Sequence, residues 1–238
     1  MNPRPTVLGV PFDPLTQKEA IDRVCQMLNS PHQKHVMTPN AEMLVEGTKN
    51  PEFLRVMQAA SLNLADSMGV VWFAHGLPER VTGIDTVTGL CASLSSERPV
   101  FFLGAAPGVA EKAAHALHMK NPQLEIAGAY AGSPAEEHAK QIIERVNSSG
   151  AHLLFVAYGA PKQDLWIHRH LKEMPHVRVA MGVGGTFDFL AGVQIRAPRL
   201  LRGLGLEWFW RLLQEPKRIG RIFAAVIVFP YLVITQKN

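Results

Sequence analysis

The residues in this chain with the best claim to chemistry sit at the ends of short apolar runs, among glycines and prolines. Asp66, in Ala65-Asp-Ser-Met-Gly69, follows such a run and precedes a helical pattern. A carboxylate in that position is either a helix N-cap or a base aimed into a cleft. Thr38-Pro-Asn-Ala-Glu42 repeats the arrangement one turn earlier, where Thr38 or Asn40 is either a cap or a pocket side chain. Arg80-Val-Thr-Gly-Ile-Asp85 offers a local salt bridge, or an arginine facing phosphates. Gly159-Ala-Pro-Lys-Gln-Asp-Leu-Trp166 and Gly182-Val-Gly-Gly-Thr-Phe-Asp-Phe-Leu-Ala-Gly192 place further polar groups beside glycines.

Gly104-Ala-Ala-Pro-Gly108 and Gly182-Val-Gly-Gly185 are small enough for backbone N–H groups to approach a phosphate at a helix N-terminus. Neither is a dinucleotide G-x-G-x-x-G or a Walker G-x-x-x-x-G-K-[ST], so a structural tight turn is an equal reading of each. The histidine pairs His115/His118 and His168/His170 have no acidic or cysteine partners at ligand spacing and read as solvated.

These groups need elements to hold them. Apolar runs at Val7 to Val10, His35 to Met37, Leu62 to Ala65, Val100 to Leu103, Glu125 to Gly128, Leu153 to Tyr158 and Val177 to Val183 read as strands. Between them lie amphipathic helical stretches: Thr16 to Leu28, Pro51 to Ala60, Asp85 to Leu94, Gly108 to Met119, Pro134 to Val146 and Pro161 to Leu171. The alternation predicts an α/β fold, a Rossmann-like parallel sheet with helices on both faces, whose strand-to-helix turns form the binding edge.

The 238 residues, 47% hydrophobic and 18% charged, suffice for a substantial core and exclude a disordered chain, a collagen-like fibre or a coiled coil. Cys25 and Cys91 read as buried hydrophobes in a reducing compartment. The net charge of +4 is uneven. Residues 1 to 195 carry 16 Lys/Arg against 18 Asp/Glu, whereas residues 196 to 221 carry seven (Arg196, Arg199, Arg202, Arg211, Lys217, Arg218 and Arg221) against Glu207 and Glu215. An acidic partner is therefore expected at the C-terminal end.

Together these segments resemble the WecG/TagA/CpsF family of bacterial glycosyltransferases. The TPN segment, AD-x-x-G, R-x-x-G-x-D, G-x-P-x-Q-x-x-W and GVGGTFDFLAG occur in the family's order, followed by Arg196-Ala-Pro198, Leu204-Gly-Leu-Glu-Trp208 and Gln214-Glu-Pro-Lys-Arg218. The resemblance implies an inverting, metal-independent transfer of a sugar from a UDP-sugar, often an N-acetylmannosamine derivative, to a polyprenyl-diphosphate-linked acceptor sugar. No Asp-x-Asp triplet is present to hold a divalent ion, which agrees with an expectation of no metal and no cofactor.

By the same resemblance Asp66 is the general base, and Thr38, Asn40 and Gln163 orient donor or acceptor. Arg211, Arg218 and Arg221 stabilise the leaving diphosphate. Arg80, Asp85, Gly104, Gly184, Gly185 and Thr186 bind substrate, Asp188 contacts the uridine, and Tyr130 stacks on uracil or is a core residue. The family has glycine directly after the aspartate where Ser67 stands here. Ser67 either caps the following helix or, if that position needs a positive φ, changes the loop.

The expected division is a catalytic domain over residues 1–202 and a helical appendage over 203–238, acting as membrane contact and active-site lid. Pro216 predicts the first turn of a second helix there. The longest apolar run, Ile222 to Ile234, is broken by Pro230 and falls short of the roughly 20 residues of a spanning helix. With no signal-peptide pattern in the first residues, the expectation is a cytoplasmic protein peripheral at the inner membrane face, bound to anionic lipid, with self-association through the appendage. Two other readings find little support. A Rossmann-like oxidoreductase needs a phosphate-binding G-x-G-x-x-G that Leu8-Gly-Val-Pro-Phe-Asp13 does not supply, and a non-enzymatic membrane or nucleic-acid binding protein needs a recognition motif that the basic segment lacks.

Overall fold

The computed structural model describes residues 4–198, 200–201 and 205–236. The chain opens with a two-stranded antiparallel hairpin, β1 (Thr6–Val7) and β2 (Val10–Pro11). The run Val7 to Val10 is thus not a strand of the main sheet. Leu8 and Gly9 both take positive φ (48° and 79°), which reverses the chain in the tight turn that suits a two-residue hairpin.

Helix α1 (Gln17–Leu28) leads into β3 (Lys34–Met37), α2 (Ala41–Lys49), α3 (Pro51–Ala59), β4 (Leu62–Asn63), α4 (Met68–Phe73) and α5 (Gly83–Ser93). The alternation continues through β5 (Val100–Gly104), α6 (Val109–His118), β6 (Ile126–Tyr130), α7 (Glu136–Ser149), β7 (Leu153–Ala157), α8 (Lys162–His170), β8 (Val179–Gly182) and α9 (Thr186–Leu190). Strands β3 to β8 form one parallel sheet in the order β4-β3-β8-β7-β5-β6. This is the Rossmann-like architecture that the alternation predicts.

The central strands are apolar throughout because both sheet faces are covered. Phe102, Phe155 and Met181 face a core shared with α1, α5 and α6, while Phe101, Leu154, Val156 and Ala180 face one shared with α7 and α8. A third cluster lies under α2, α3 and α4 and includes Phe12 of the hairpin and Met37 of β3.

Two more helices follow: α10 (Glu207–Gln214) and α11 (Pro216–Thr235). The break between them is at Glu215 (φ −133°, ψ 79°), and Pro216 occupies the first turn of α11, where its missing N–H costs nothing. Pro230 does not end α11. A π-helical segment at Ala224–Val228 shifts the hydrogen-bonding pattern just ahead of it and makes room for the ring, so the helix runs 20 residues and is long and apolar enough to cross a membrane. That corrects the estimate from the apolar run alone.

In this fold α11 packs along the domain rather than standing free. Ile222, Phe229 and Val233 are buried, and Phe229 meets Phe73 of α4 edge to face at 5.7 Å between centroids. Ile219, Phe223, Ile227, Tyr231 and Ile234 remain exposed. The expected domain boundary at 202/203, with Arg199 and Arg202, falls outside the described residues.

Candidate active site

Four neighbouring strands, β4, β3, β8 and β7, end side by side, and the turns that follow them line one cavity of about 540 Å³. Helices α10 and α11 form its outer wall. Because parallel strands all point their carboxyl ends to one sheet edge, residues far apart in sequence meet there.

The turn after β3 brings Thr38 and Asn40. The Asn40 side chain accepts a hydrogen bond from Met43 N at 3.0 Å, so it caps α2 while lining the cavity. The turn after β4 brings Asp66, whose backbone N–H donates to Pro39 O at 3.2 Å and so ties the two turns together. Ser67 caps α4 through Val70 N with φ −154°, an ordinary extended conformation, so serine fits this position without strain.

Gly83, at the start of α5, donates its N–H to Asp66 Oδ2 at 3.3 Å. A methyl group at Gly83 would lie 3.5 to 3.7 Å from Thr38 Oγ1, Thr186 Oγ1 and Asp66 Oδ2, so three oxygen-bearing side chains from three different turns converge on this one point.

Burial in this niche pushes the Asp66 carboxyl up from its ordinary 3.8 to about 7, against the pull of Arg80, the Gly83 N–H and Arg211; Glu207 adds to the rise. A carboxylate titrating near neutrality is suited to accepting a proton during turnover.

Gln163 is buried and its Oε1 accepts from both Gly159 N (3.1 Å) and Gly184 N (3.0 Å), joining the turns after β7 and β8. Gly182 makes this possible. A Cβ there would sit 2.6 Å from Gln163 Nε2 and closer still to Asp164 Oδ1. Gly184, Gly185, Thr186 and Asp188 line the cavity from the β8–α9 turn. Burial, then Glu215, raises the Asp188 carboxyl, opposed by Arg211 and Arg218.

The outer wall supplies cations. Arg211 lies 5.3 Å over the Phe189 ring, and burial followed by Arg218 nearby lowers its proton affinity. Guanidinium groups crowded and desolvated in this way favour an incoming anion. Arg218 pairs with Glu215, and Arg221 with Glu42 of α2 at 2.7 Å.

Arg80 pairs with Glu207 of α10 at 3.0 Å, and Asp85 holds Arg196 in a two-pronged pair at 2.6 Å on each side. The local Arg80–Asp85 spacing is therefore used for two contacts with the C-terminal segment.

Thr38, Asn40, Asp66, Arg80, Gln163, Gly184, Gly185, Thr186, Asp188, Arg211, Arg218 and Arg221 all line the cavity, whereas Asp85, Gly104 and Tyr130 do not. Strand order is the reason for two of them. Gly104 and Tyr130 end β5 and β6, on the far side of β7 from β3 and β4. Gly104 is pressed on Ala157 backbone, where a Cβ would come within 2.7 Å, and Tyr130 carries the Arg145 guanidinium 4.3 Å over its ring.

Glu207, Glu42 and Gly83 enter the site without having been singled out. Glu207 could have been noticed as one of only two acids in the basic stretch 196–221. His170 is not solvated: it is buried, with Nδ1 2.8 Å from Glu173 and Nε2 3.5 Å from Glu136.

The glycosyl transferase WecG/TagA/CpsF family model matches residues 5–238. The chain belongs to this family. It is accordingly a glycosyltransferase, and the cavity at the strand ends is its candidate active site. Relatives from Staphylococcus aureus strains MW2, MRSA252 and NCTC 8325 are 30% identical over 240 residues, covering 98% of this chain and 92% of the relative. Each is named N-acetylglucosaminyldiphosphoundecaprenol N-acetyl-beta-D-mannosaminyltransferase. The matched residues include α10 and α11, the two helices of the arginine-bearing wall.

Proposed function

We propose that this protein transfers N-acetylmannosamine, or a close derivative, from a UDP-sugar to a polyprenyl-diphosphate-linked N-acetylglucosamine at the membrane face. The observation that carries the reading is a buried carboxyl titrating near 7, Asp66, in the same cavity as Arg80, Arg211, Arg218 and Arg221. Asp66 takes the proton of the acceptor hydroxyl as its oxygen attacks the anomeric carbon. The bond to UDP breaks on the opposite side, UDP leaves with the electron pair, and the anomeric configuration inverts.

Charge on the departing diphosphate is met by arginines rather than by a divalent ion, in keeping with the lack of an Asp-x-Asp triplet. Thr38 and Thr186 supply hydrogen-bonding groups beside the base, and Asn40 lines the same cavity.

Membrane contact is assigned to the exposed stripe of α11 with its basic neighbours, lying in the interface plane while the opposite side grips the domain. The relatives' names place undecaprenol on their acceptor, which supports a membrane-side site here. The same apolar stripe favours self-association when no lipid or detergent is present.

The test is incubation with a panel of UDP-sugars and lipid-linked N-acetylglucosamine, with and without EDTA. Expected is one β-linked disaccharide product, its configuration read by NMR, formed at the same rate in chelator. A retained anomeric configuration or an EDTA-sensitive rate would refute the mechanism.

A further inference from the structure

The cavity lining has two parts of opposite character. One part of its lining is polar and holds Asp66, Thr38 and the arginines. Another part is walled by Met68, Trp72 and Phe73 of α4 and by Ala225, Val226 and Phe229 of α11, none of them charged. Both belong to one continuous space. Along α11 the change is abrupt. Arg218 and Arg221 line the cavity first, and Ile222, Ala225, Val226 and Phe229 follow on the same helix, a rise of roughly 12 Å from Arg221 to Phe229.

The groove floor is sealed by the edge-to-face contact of Phe73 with Phe229 and by Gly69, where a Cβ would touch the Phe229 ring at 3.5 Å. On its rim Trp72 is 62% exposed, a large aromatic on the catalytic domain itself.

A nucleotide sugar has no use for such a wall. The acceptor does, because its diphosphate is followed by a hydrocarbon chain, and along α11 the cavity lining passes from Arg218 and Arg221 to Ile222, Ala225, Val226 and Phe229. We infer that the groove between α4 and α11 is a binding subsite for the first isoprene units of the acceptor's polyprenyl chain. The inference rests on the proposed acceptor class, and it adds that the protein itself grips the chain. The match of charged and apolar segments in sequence, and the continuity with the candidate active site, favour this occupant over a second copy of the chain. Burial of a branched hydrocarbon against Trp72, Met68 and Val226 is the source of affinity.

The experiment uses the full chain without vesicles or detergent, so that no bilayer contributes. Two acceptors are compared: N-acetylglucosaminyl diphosphate esterified with methyl, and the same compound esterified with farnesyl. Wild type is expected to show a KM at least about tenfold lower for the farnesyl compound. Ala225→Trp, which fills the groove, and Trp72→Ala, which removes its rim, should abolish that advantage while kcat/KM for the methyl compound stays within about twofold.

Calorimetric binding of farnesyl diphosphate against methyl diphosphate gives a readout independent of turnover, with the same preference expected in wild type and lost in Ala225→Trp. Equal KM and equal binding for the two chain lengths in wild type, or a preference that survives both substitutions, would overturn the subsite while leaving the transfer reaction standing. Chain-dependent binding with no transfer to either acceptor would do the reverse. Chain-independent binding by a stable dimer, seen by light scattering, would assign the groove to a second copy.

Discussion

Asp66 is held by opposing influences: burial and Glu207 disfavour its charge, and Arg80, Arg211 and the Gly83 N–H favour it. Replacing Asp66 by Asn should lower kcat by about 10²- to 10⁴-fold with donor binding retained, as measured by UDP-sugar titration and a transfer assay. In wild type, kcat should rise with pH through an acid limb near 7, because only the deprotonated carboxylate accepts a proton. Arg80→Gln removes the strongest opposing charge and should move that limb to higher pH. A limb that stays in place, or moves down, would exclude Arg80 as the partner that holds it.

The same carboxyl bears on stability. Its folded value lies above its unfolded one, so the folded state holds the extra proton and stability falls as pH rises from near 4 to about 7. Asp66→Asn should therefore melt at a higher temperature than wild type at pH 8, with the difference gone at pH 4.

At the scale of elements, what matters is how turns and helices are fastened to one another. Gln163 joins the turns after β7 and β8, and Gly182 leaves the space for it. Gly182→Ala should force two buried side chains aside at a cost of about 1–3 kcal/mol, visible as a lower Tm together with a loss of turnover.

Helix α10 is fastened to the domain by Glu207 on Arg80. Glu207→Ala strands a partly buried arginine beside Asp66, and we expect faster proteolysis of the C-terminal segment and at least about a tenfold loss of kcat/KM. Protection equal to wild type would show that the pair does not dock the helix.

The elements themselves were largely legible. Val100 to Leu103 and Leu153 to Tyr158 are uninterrupted apolar runs, as strands buried on both faces must be, and each became a central strand. Val7 to Val10 did not, because an apolar run of four residues does not reveal the positive φ values at Leu8 and Gly9 that fold it into a hairpin.

For the whole molecule, α11 has two properties that its sequence alone sets in conflict. Its length and hydropathy suit a membrane span, yet Phe229 is wholly buried against α4 and the third core cluster. Phe229→Ala should cost about 3–5 kcal/mol and lower Tm, a loss that a freely hanging anchor would not show. The opposite stripe, Ile219 to Ile234, should bind anionic vesicles in a flotation assay more tightly than zwitterionic ones, and Phe223→Asp with Ile227→Asp should abolish flotation without changing Tm. Truncation before α10 would remove the arginines and the Phe229 plug together, so it is expected to abolish transfer and to uncover apolar surface on α2 and α4.

What the linear chain determined by itself were the properties that depend on neighbours within a few residues: the strand and helix alternation, the helix start at Pro216, and the set of polar groups at strand ends that mark the family. Charge distribution also belongs there, since a basic segment after residue 195 is a matter of counting. Only the tertiary structure decided which of those strand ends share a cavity. Strand order is set by crossover packing, and it put β4, β3, β8 and β7 together while leaving Gly104 and Tyr130 outside. Pairings such as Arg80 with Glu207 and Arg221 with Glu42 depend on where two helices land more than a hundred residues later. Spacing along the chain carries no record of that distance, and only the packed molecule does.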